Sequence, residues 1–336
     1  MKHEIDLGKY QLRTDLAIEL VNDDSLKTEV IDGVKVTSIY IDKDKSMIIN
    51  KKVGNYITIE FDDITDYDNR ECVKRVFVSE LGKLIDILGI NDKDTCLVVG
   101  LGNVNSTPDS LGPMSVSNLI ITNHLYELGE LGSNYRRVSS LVPGVMAETG
   151  IETSDIIKSV VFSVKPNFVI VIDALASSSI ERVNKTIQIT DTGIHPGSGI
   201  GNSRKEISSD VLGVPVIAIG VPTTVDAVSI VSDTIDYMSR HFSYIKQNID
   251  NPMNRLIVKG NVNFLDKDVV VKKEDRERLF GLVGNLSHDE TRQLIDEVLT
   301  PIGYNFMVTP KEIDFVIVKL CDVIGNGIND CLHDLS

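Results

Sequence analysis

The chain has 336 residues, of which 42% are apolar and 25% are charged, so it can bury a sizeable core as one large domain or two. Its 34 basic and 49 acidic residues give a net charge of -15, which argues against direct binding of nucleic acid, because phosphates require clustered basic side chains. The apolar runs, at most about six to eight residues, are too short to span a bilayer and no signal peptide opens the chain, so we expect a cytoplasmic protein.

The first 65 residues differ in pattern from the rest of the chain. Residues 30–40 and 56–61 alternate apolar and polar side chains and are rich in β-branched residues, which is typical of half-buried antiparallel strands. From residue 71 to Leu88 the apolar side chains recur at helical spacing, and Gly89 can serve as a helix C-cap. We therefore expect a small β annex within residues 16–65, followed by a helix.

Uncharged strand patterns then alternate with helical patterns. Strands are expected at residues 96–99, 138–142, 168–172, 186–190 and 215–220, and helices at residues 116–125, 153–161 and 227–242. Buried strands that alternate with helices predict a three-layer α/β/α domain with a mostly parallel sheet. Residues 243–285, with a strand-like piece at 261–271, interrupt this pattern and are interpreted as an insertion. Helices near 289–298 and 310–324 close the chain.

Two aspartates follow two of the buried strands. Strand 96–99 runs into a glycine-rich loop that carries Asp109, and strand 168–172 ends directly on Asp173. Open α/β sheets bind their ligands at the carboxyl ends of the strands, so both acids can face one cleft. There one carboxyl group could hold a proton while the other accepts a proton from water, as hydrolysis of an amide requires. In the competing interpretation both residues are structural: Asp109 caps the helix after its loop and Asp173 caps a turn.

The glycine-rich loop also resembles a dinucleotide-binding fingerprint. However, Asn105 stands where the G-x-G-x-x-G pattern has its third glycine. Pro108 and Asp109 would also crowd or repel a pyrophosphate. A protein that is not an enzyme and binds a nucleotide through this loop is therefore only an alternative interpretation.

A second glycine-rich loop, residues 191–202, follows the strand at 186–190. Long loops of this composition are often functional when they cover an active site, and this one supplies His195, Gly197 and Ser198. His195 with the two aspartates would be a plausible hard metal-ligand set, so a metal-dependent hydrolase using Asp109, Asp173 and His195 is the alternative to an acid pair. A solvated or structural His195 also stays open. No G-x-S-x-G elbow occurs, and the four cysteines, without C-x-x-C spacing, suggest neither a nucleophile, a disulfide framework nor a zinc site.

Taken together, the sequence resembles the germination protease family of spore-forming bacteria. The resemblance runs through blocks in the same order along the chain: residues 6–7, 13–17, 100–103, 107–113, 142–146, 150–155, 172–176, 193–199 and 307–312. It implies a fold similar to that of hydrogenase maturation proteases, whose glycine-asparagine loop corresponds to Gly102 and Asn103. It also implies that Asp109 and Asp173 are the two catalytic aspartates.

The resemblance further implies an endopeptidase that is stored as an inactive precursor in the spore core. Its substrates would be the small acid-soluble proteins that coat spore DNA, and it would form a homotetramer. We expect no cofactor and no metal. Family substrates are cut after the acid of a Thr-Glu-(Phe or Ile)-Ala-Ser-Glu type sequence, and residues 14–19 read Thr-Asp-Leu-Ala-Ile-Glu. We therefore predict self-cleavage between Asp15 and Leu16, with residues 1–15 as propeptide and 16–336 as protease domain. A polar tail that starts a short helix at Leu16 is the alternative.

In the expected mechanism the two aspartates share a proton and activate a water molecule. The oxyanion would be stabilised by backbone amides of residues 100–103 or of the 193–199 loop. Mildly acidic conditions would favour the reaction, because one carboxyl group must be ionised and the other protonated.

Overall fold

The computed structural model describes residues 14–21, 26–130, 132, 134–197, 204–248, 269–299 and 306–334. The chain divides into two compact units, residues 13–225 with 309–336, and residues 226–308 with 1–12. Most of the expected propeptide, residues 1–13, lies outside the described residues, as do residues 261–268 of the expected strand-like piece in the insertion.

Eight strands follow one another across the sheet of the larger unit. They are β1 (Lys27–Ile31), β2 (Val34–Ile41), β3 (Gly54–Glu60), β4 (Cys96–Gly100), β5 (Val138–Leu141), β6 (Phe168–Ser177), β7 (Thr186–Thr190) and β8 (Val216–Asp226). Their order is β1-β2-β3-β7-β8-β6-β4-β5. Strands β8, β6, β4 and β5 pair in parallel, whereas β1, β2 and β3 join antiparallel and connect to β8 through β7. The α/β class is confirmed, and the β annex is continuous with the main sheet.

Helices cover both faces of the parallel strands. Among the described residues the helices are α1 (Lys43–Ile49), α2 (Tyr67–Ile87), α3 (Leu111–Ser117), α4 (Asn123–Glu127), α5 (Met146–Thr149), α6 (Thr153–Val164), α7 (Ser209–Leu212), α8 (Ala227–Asn248), α9 (Lys273–Phe280), α10 (His288–Leu299) and α11 (Ile313–Leu332). Val98 and Ile170 lie in a core shared with α2, α3 and α11. Leu97 and Val169 lie in a second core shared with α6 and α7. Because side chains of a strand alternate between faces, two apolar cores require the uncharged runs seen in the sequence.

The structure departs from two of the expected elements. Strand β6 does not end before Asp173 but continues to Ser177, because its pairing with β8 extends beyond the end of β4. The helix expected at residues 116–125 is two short helices, α3 and α4. Between them the amide of Ile120 donates to Asn329 Oδ1 at 2.9 Å, and Asn329 Nδ2 donates to the carbonyl oxygen of Asn118 at 2.9 Å. One asparagine of α11 thus satisfies main-chain groups that a continuous helix would have paired internally.

The smaller unit contains α8, α9 and α10, a 3-10 turn at Gly281–Asn285 and the short strand β9 (Met307–Val308). Helices α9 and α10 both pack on α8. Lys246 forms an ion pair with Asp275, and His288 Nε2 lies 3.0 Å from Asp236 Oδ2. Across the described ranges of both units, no helix combines the length and the apolar character that crossing a bilayer demands.

Candidate active site

Asp109 ends a 3-10 turn, Thr107–Asp109, in the loop that follows β4. The amide of Asn103 donates to Asp109 Oδ2 at 3.0 Å and also contacts the carbonyl oxygen of Asp109. Gly102 has a φ of +109°, and a Cβ added there would lie 2.0 Å from that carbonyl oxygen. Only glycine permits this backbone conformation with so close an approach. Gly102 and Asn103 therefore hold Asp109 in place.

The same loop is attached to the neighbouring strands. The amide of Leu101 donates to the carbonyl oxygen of Ile172 in β6 at 2.8 Å. Thr223 Oγ1, on β8, donates to the carbonyl oxygen of Pro108 at 2.6 Å. These two bonds fix the loop that carries Asp109 against β6, the strand that carries Asp173, and against its neighbour β8.

Asp173 lies in β6 opposite Gly220 of β8, one residue beyond the last pair between β4 and β6. Its side chain is buried, and Oδ1 accepts a hydrogen bond from the amide of Ala174 at 2.9 Å. Burial raises the pKa of Asp173 well above its usual range, and the negative charges of Asp109 and Asp15 raise it further. Asp109 and Asp15 are therefore both close enough to Asp173 to affect its ionisation.

The two aspartates of the pair differ in their electrostatic environment. Burial raises the pKa of Asp109 from 3.8 to about 6, while the hydrogen bond from the Asn103 amide opposes this rise. Burial thus disfavours the ionised form of both carboxyl groups, and the charge of Asp109 further disfavours ionisation of Asp173. A carboxylate and a carboxylic acid at one site can act as general base and general acid.

The third carboxyl group belongs to the expected cleavage segment. The amide of Asp15 donates to the carbonyl oxygen of Ala176 at 2.9 Å, and the amide of Ala176 donates to Asp15 Oδ2 at 2.9 Å. Residues 14–19 thus lie against the end of β6, the strand that carries Asp173. Leu16 and Ala17, which follow the expected scissile bond, are fully buried.

The side chain of Glu19 anchors the other end of this segment. Glu19 Oε2 accepts hydrogen bonds from the amide and the hydroxyl of Ser178, both at 2.8 Å, and from Thr14 Oγ1. Ser177 Oγ donates to Glu19 Oε1 at 2.6 Å, and Arg182 Nη1 lies 3.5 Å from the same oxygen. The acid four residues after Asp15 is therefore bound by a dedicated set of donors.

Two polar side chains that the sequence did not single out contact the carbonyl group of Asp15. Lys51 Nζ donates to this carbonyl oxygen at 2.9 Å, and Gln188 Nε2 donates to it at 3.4 Å. Gln188 Oε1 accepts a hydrogen bond from the amide of Ala17 at 2.8 Å. The polar side chain of Gln188 between Ile187 and Ile189, in a strand that is buried throughout, is the signal that could have indicated it.

His195 lies away from this group. Its Nε2 is 3.4 Å from Oε2 of Glu206, which also pairs with Lys52. Gly197, with a φ of +74°, lies in the same loop, and Ser198 is outside the described residues. Within the described part of the chain no three His, Cys, Asp or Glu side chains are grouped so that they could hold a metal ion. The structure thus brings Asp109 and Asp173 together without His195.

Known proteins are similar to this chain along nearly its whole length. A family profile described as germination protease matches residues 6–335. The germination proteases of Bacillus subtilis and Bacillus licheniformis are 47% and 48% identical over 356 residues, and that of Priestia megaterium is 47% identical over 357 residues. Each alignment covers 99% of this chain and 96% of the relative. A nickel-iron hydrogenase maturation protease from Thermococcus kodakarensis has a TM-score of 0.27 and 18% identity, covering 41% of this chain and 80% of its own. From its sequence matches, this chain is a peptidase that belongs to the germination protease family.

Proposed function

We propose that the chain is an endopeptidase made as a precursor, which removes residues 1–15 by cutting its own Asp15–Leu16 bond. Asp109 and Asp173 would be the catalytic pair. One observation carries this proposal: Asp15 is bonded twice to Ala176, three residues beyond Asp173, and its charge contributes to the raised pKa of Asp173. These contacts support a scissile bond close to the carboxyl pair.

The chemistry follows from the order of the two pKa values. Ionised Asp109 takes a proton from a water molecule, and the water oxygen forms a bond to the carbonyl carbon of Asp15. Asp173 then gives its proton to the nitrogen of Leu16 as the carbon–nitrogen bond breaks. The products are a carboxyl group at Asp15 and an amine at Leu16, and the pair has exchanged its protonation states.

The contacts of residues 14–19 also indicate which peptides the site would accept. An acid precedes the bond, two buried apolar residues follow it, and Glu19 occupies the donors of Ser177, Ser178 and Arg182. Once this segment is cut and has left, the same groups would bind a substrate with a similar sequence. On the family likeness we propose the small acid-soluble proteins of the spore core as these substrates, degraded during germination.

We also propose that the protein assembles as a homotetramer and that cleavage needs no metal. The tetramer is supported by family likeness alone, and sedimentation velocity of the intact precursor would measure it. For the metal-dependent alternative, Asp109, Asp173 and His195 would have to act on one ion, and the position of His195 beside Glu206 does not favour this. A chelator should accordingly leave self-cleavage unchanged, and so should His195→Ala.

The proposal is tested by following intact mass over time at about pH 6, where Asp109 is partly ionised, with and without a chelator. The wild type should lose residues 1–15 under both conditions, while Asp109→Asn and Asp173→Asn should stay intact. Asp66→Asn is a matched control, because Asp66 caps α2 through the amide of Asn69 and asparagine can cap equally well. Cutting in both site variants would exclude the aspartate pair, and cutting only without chelator would favour the metal-dependent reaction.

A further inference from the structure

The carbonyl oxygen of Asp15 is the atom on which negative charge would develop during self-cleavage. Two side chains from different elements donate to it. Lys51 lies in the loop between α1 and β3, with Nζ at 2.9 Å, and Gln188 lies in the middle of β7, with Nε2 at 3.4 Å. An oxyanion requires donors that are already in place before the charge forms.

Two amides of the glycine-asparagine loop, which are obvious candidates for this task, are engaged elsewhere. The amide of Leu101 donates to Ile172, and the amide of Asn103 donates to Asp109. Both bonds hold the loop and its aspartate in position. The side chains that already donate to the carbonyl oxygen of Asp15 are therefore the stronger candidates for stabilising its oxyanion.

We propose that Lys51 is a catalytic residue whose ammonium group, with Gln188 as the second donor, stabilises the oxyanion on the carbonyl oxygen of Asp15. This inference rests on the self-cleavage proposed above. When the water oxygen bonds to the carbonyl carbon, the π electrons move to the carbonyl oxygen, which Lys51 stabilises without giving up its proton. When the oxyanion collapses, the electron pair of the broken bond goes to the nitrogen of Leu16, which takes the proton of Asp173.

The surroundings of Lys51 suit this role. Its side chain is half-buried, and burial lowers the pKa of Lys51, whereas the carboxylates of Asp15 and Glu19 work against this change. A cation removed from bulk water acts more strongly on a developing negative charge than one in water. Those carboxylates belong to the segment itself, so the docked segment helps to keep its own oxyanion donor charged.

The side-chain amide of Gln188 contacts the segment through both its oxygen and its nitrogen. Its Oε1 accepts from the amide of Ala17, and this bond turns Nε2 toward the carbonyl oxygen of Asp15. Gln188→Glu would keep the acceptor for Ala17 while replacing the donor by a negatively charged oxygen. This substitution separates binding of the segment from stabilisation of the oxyanion.

The test measures the first-order rate of loss of residues 1–15 by intact mass. Lys51→Met should slow this rate by about 10²- to 10³-fold, the effect expected for one oxyanion donor, and Gln188→Glu by at least about tenfold. Lys43→Met, which removes an exposed lysine from α1, should process at the wild-type rate. Lys51→Met at the wild-type rate, with Asp173→Asn inactive, would overturn this inference alone. Processing by Asp173→Asn would instead overturn the proposed function.

A second measurement separates catalysis from docking. In an Asp173→Asn background, where the segment is not cut, hydrogen exchange reports the amides of Asp15 and Ala17, which are bonded to Ala176 and Gln188. Addition of Lys51→Met should leave their protection unchanged. Loss of protection would mean that Lys51 only holds the segment, and it would overturn the assignment of Lys51 as an oxyanion donor.

Discussion

Asp15 and Ala176 exchange two hydrogen bonds, each of 2.9 Å, one through the main chain and one through the carboxylate of Asp15. Both residues belong to the same compact unit of one chain. The expected cleavage site is therefore already docked on the strand that carries Asp173, without a second molecule.

Self-cleavage should consequently be intramolecular. We expect a first-order rate that does not change when the protein is diluted a hundredfold. In a mixture, wild-type protein should leave the Asp173→Asn precursor uncut, because the segment of the variant occupies its own site. A rate that rises with concentration, or cutting of the variant in the mixture, would contradict the docked arrangement.

The pH dependence of self-cleavage should follow the ionisation of Asp109. The pKa of Asp109 is raised to about 6, and that of Asp173 is raised well above its usual range. The productive form has Asp109 ionised and Asp173 protonated, so the rate should fall as pH drops below about 6. Rates measured by intact mass between pH 4 and 8 would check this limb. A rate that keeps rising down to pH 4 would show that Asp109 is not the base.

Asp109 should also destabilise the folded protein at neutral pH. A carboxyl group whose pKa is higher in the folded than in the unfolded state binds its proton more tightly when folded, so its contribution to stability decreases as pH rises from 3.8 to about 6. Replacing Asp109 by asparagine in an Asp173→Asn background should raise the free energy of unfolding at pH 7 by about 1 to 3 kcal/mol. Both proteins stay uncut, so chemical denaturation compares them directly. The difference should vanish below pH 4.

The sequence predicts the parts of this site that depend on regular patterns. Continuous uncharged runs predict strands β4 and β6, which are buried on both faces, and the carboxyl ends of these parallel strands bring Asp109 and Asp173 together. Lys51 and Gln188 could not be predicted in this way. Lys51 lies in an irregular loop. Gln188 comes near the site because β7 pairs antiparallel with β8 and sets Gln188 opposite Gly220, the partner of Asp173, in a register that no local pattern specifies.

The contacts of Glu19 lead to a prediction about recognition. Its carboxylate accepts hydrogen bonds from Ser177, Ser178 and Thr14 and lies near Arg182. Hydrogen bonds to a charged acceptor contribute about 1.5 to 3 kcal/mol. Glu19→Gln should therefore weaken docking of the segment and slow self-cleavage roughly tenfold. Glu29→Gln, at an exposed position of β1, is the matched control. Equal rates for the two variants, measured by intact mass, would show that the Glu19 contacts do not contribute to cutting.

Gly102 provides a test of how the loop positions Asp109. A Cβ at Gly102 would lie 2.0 Å from the carbonyl oxygen of Asp109 and 3.0 Å from Oδ1, so Gly102→Ala must displace the loop. Gly129 also has a positive φ, +75°, but a Cβ there would meet nothing within 4 Å, so Gly129→Ala shares the backbone strain without the clash. We expect Gly102→Ala to lose self-cleavage and Gly129→Ala to retain it, with thermal unfolding showing that both still fold. Because the displaced carboxylate would also lose its bond from the Asn103 amide, retained cleavage in Gly102→Ala would mean that the reaction does not depend on the position of Asp109.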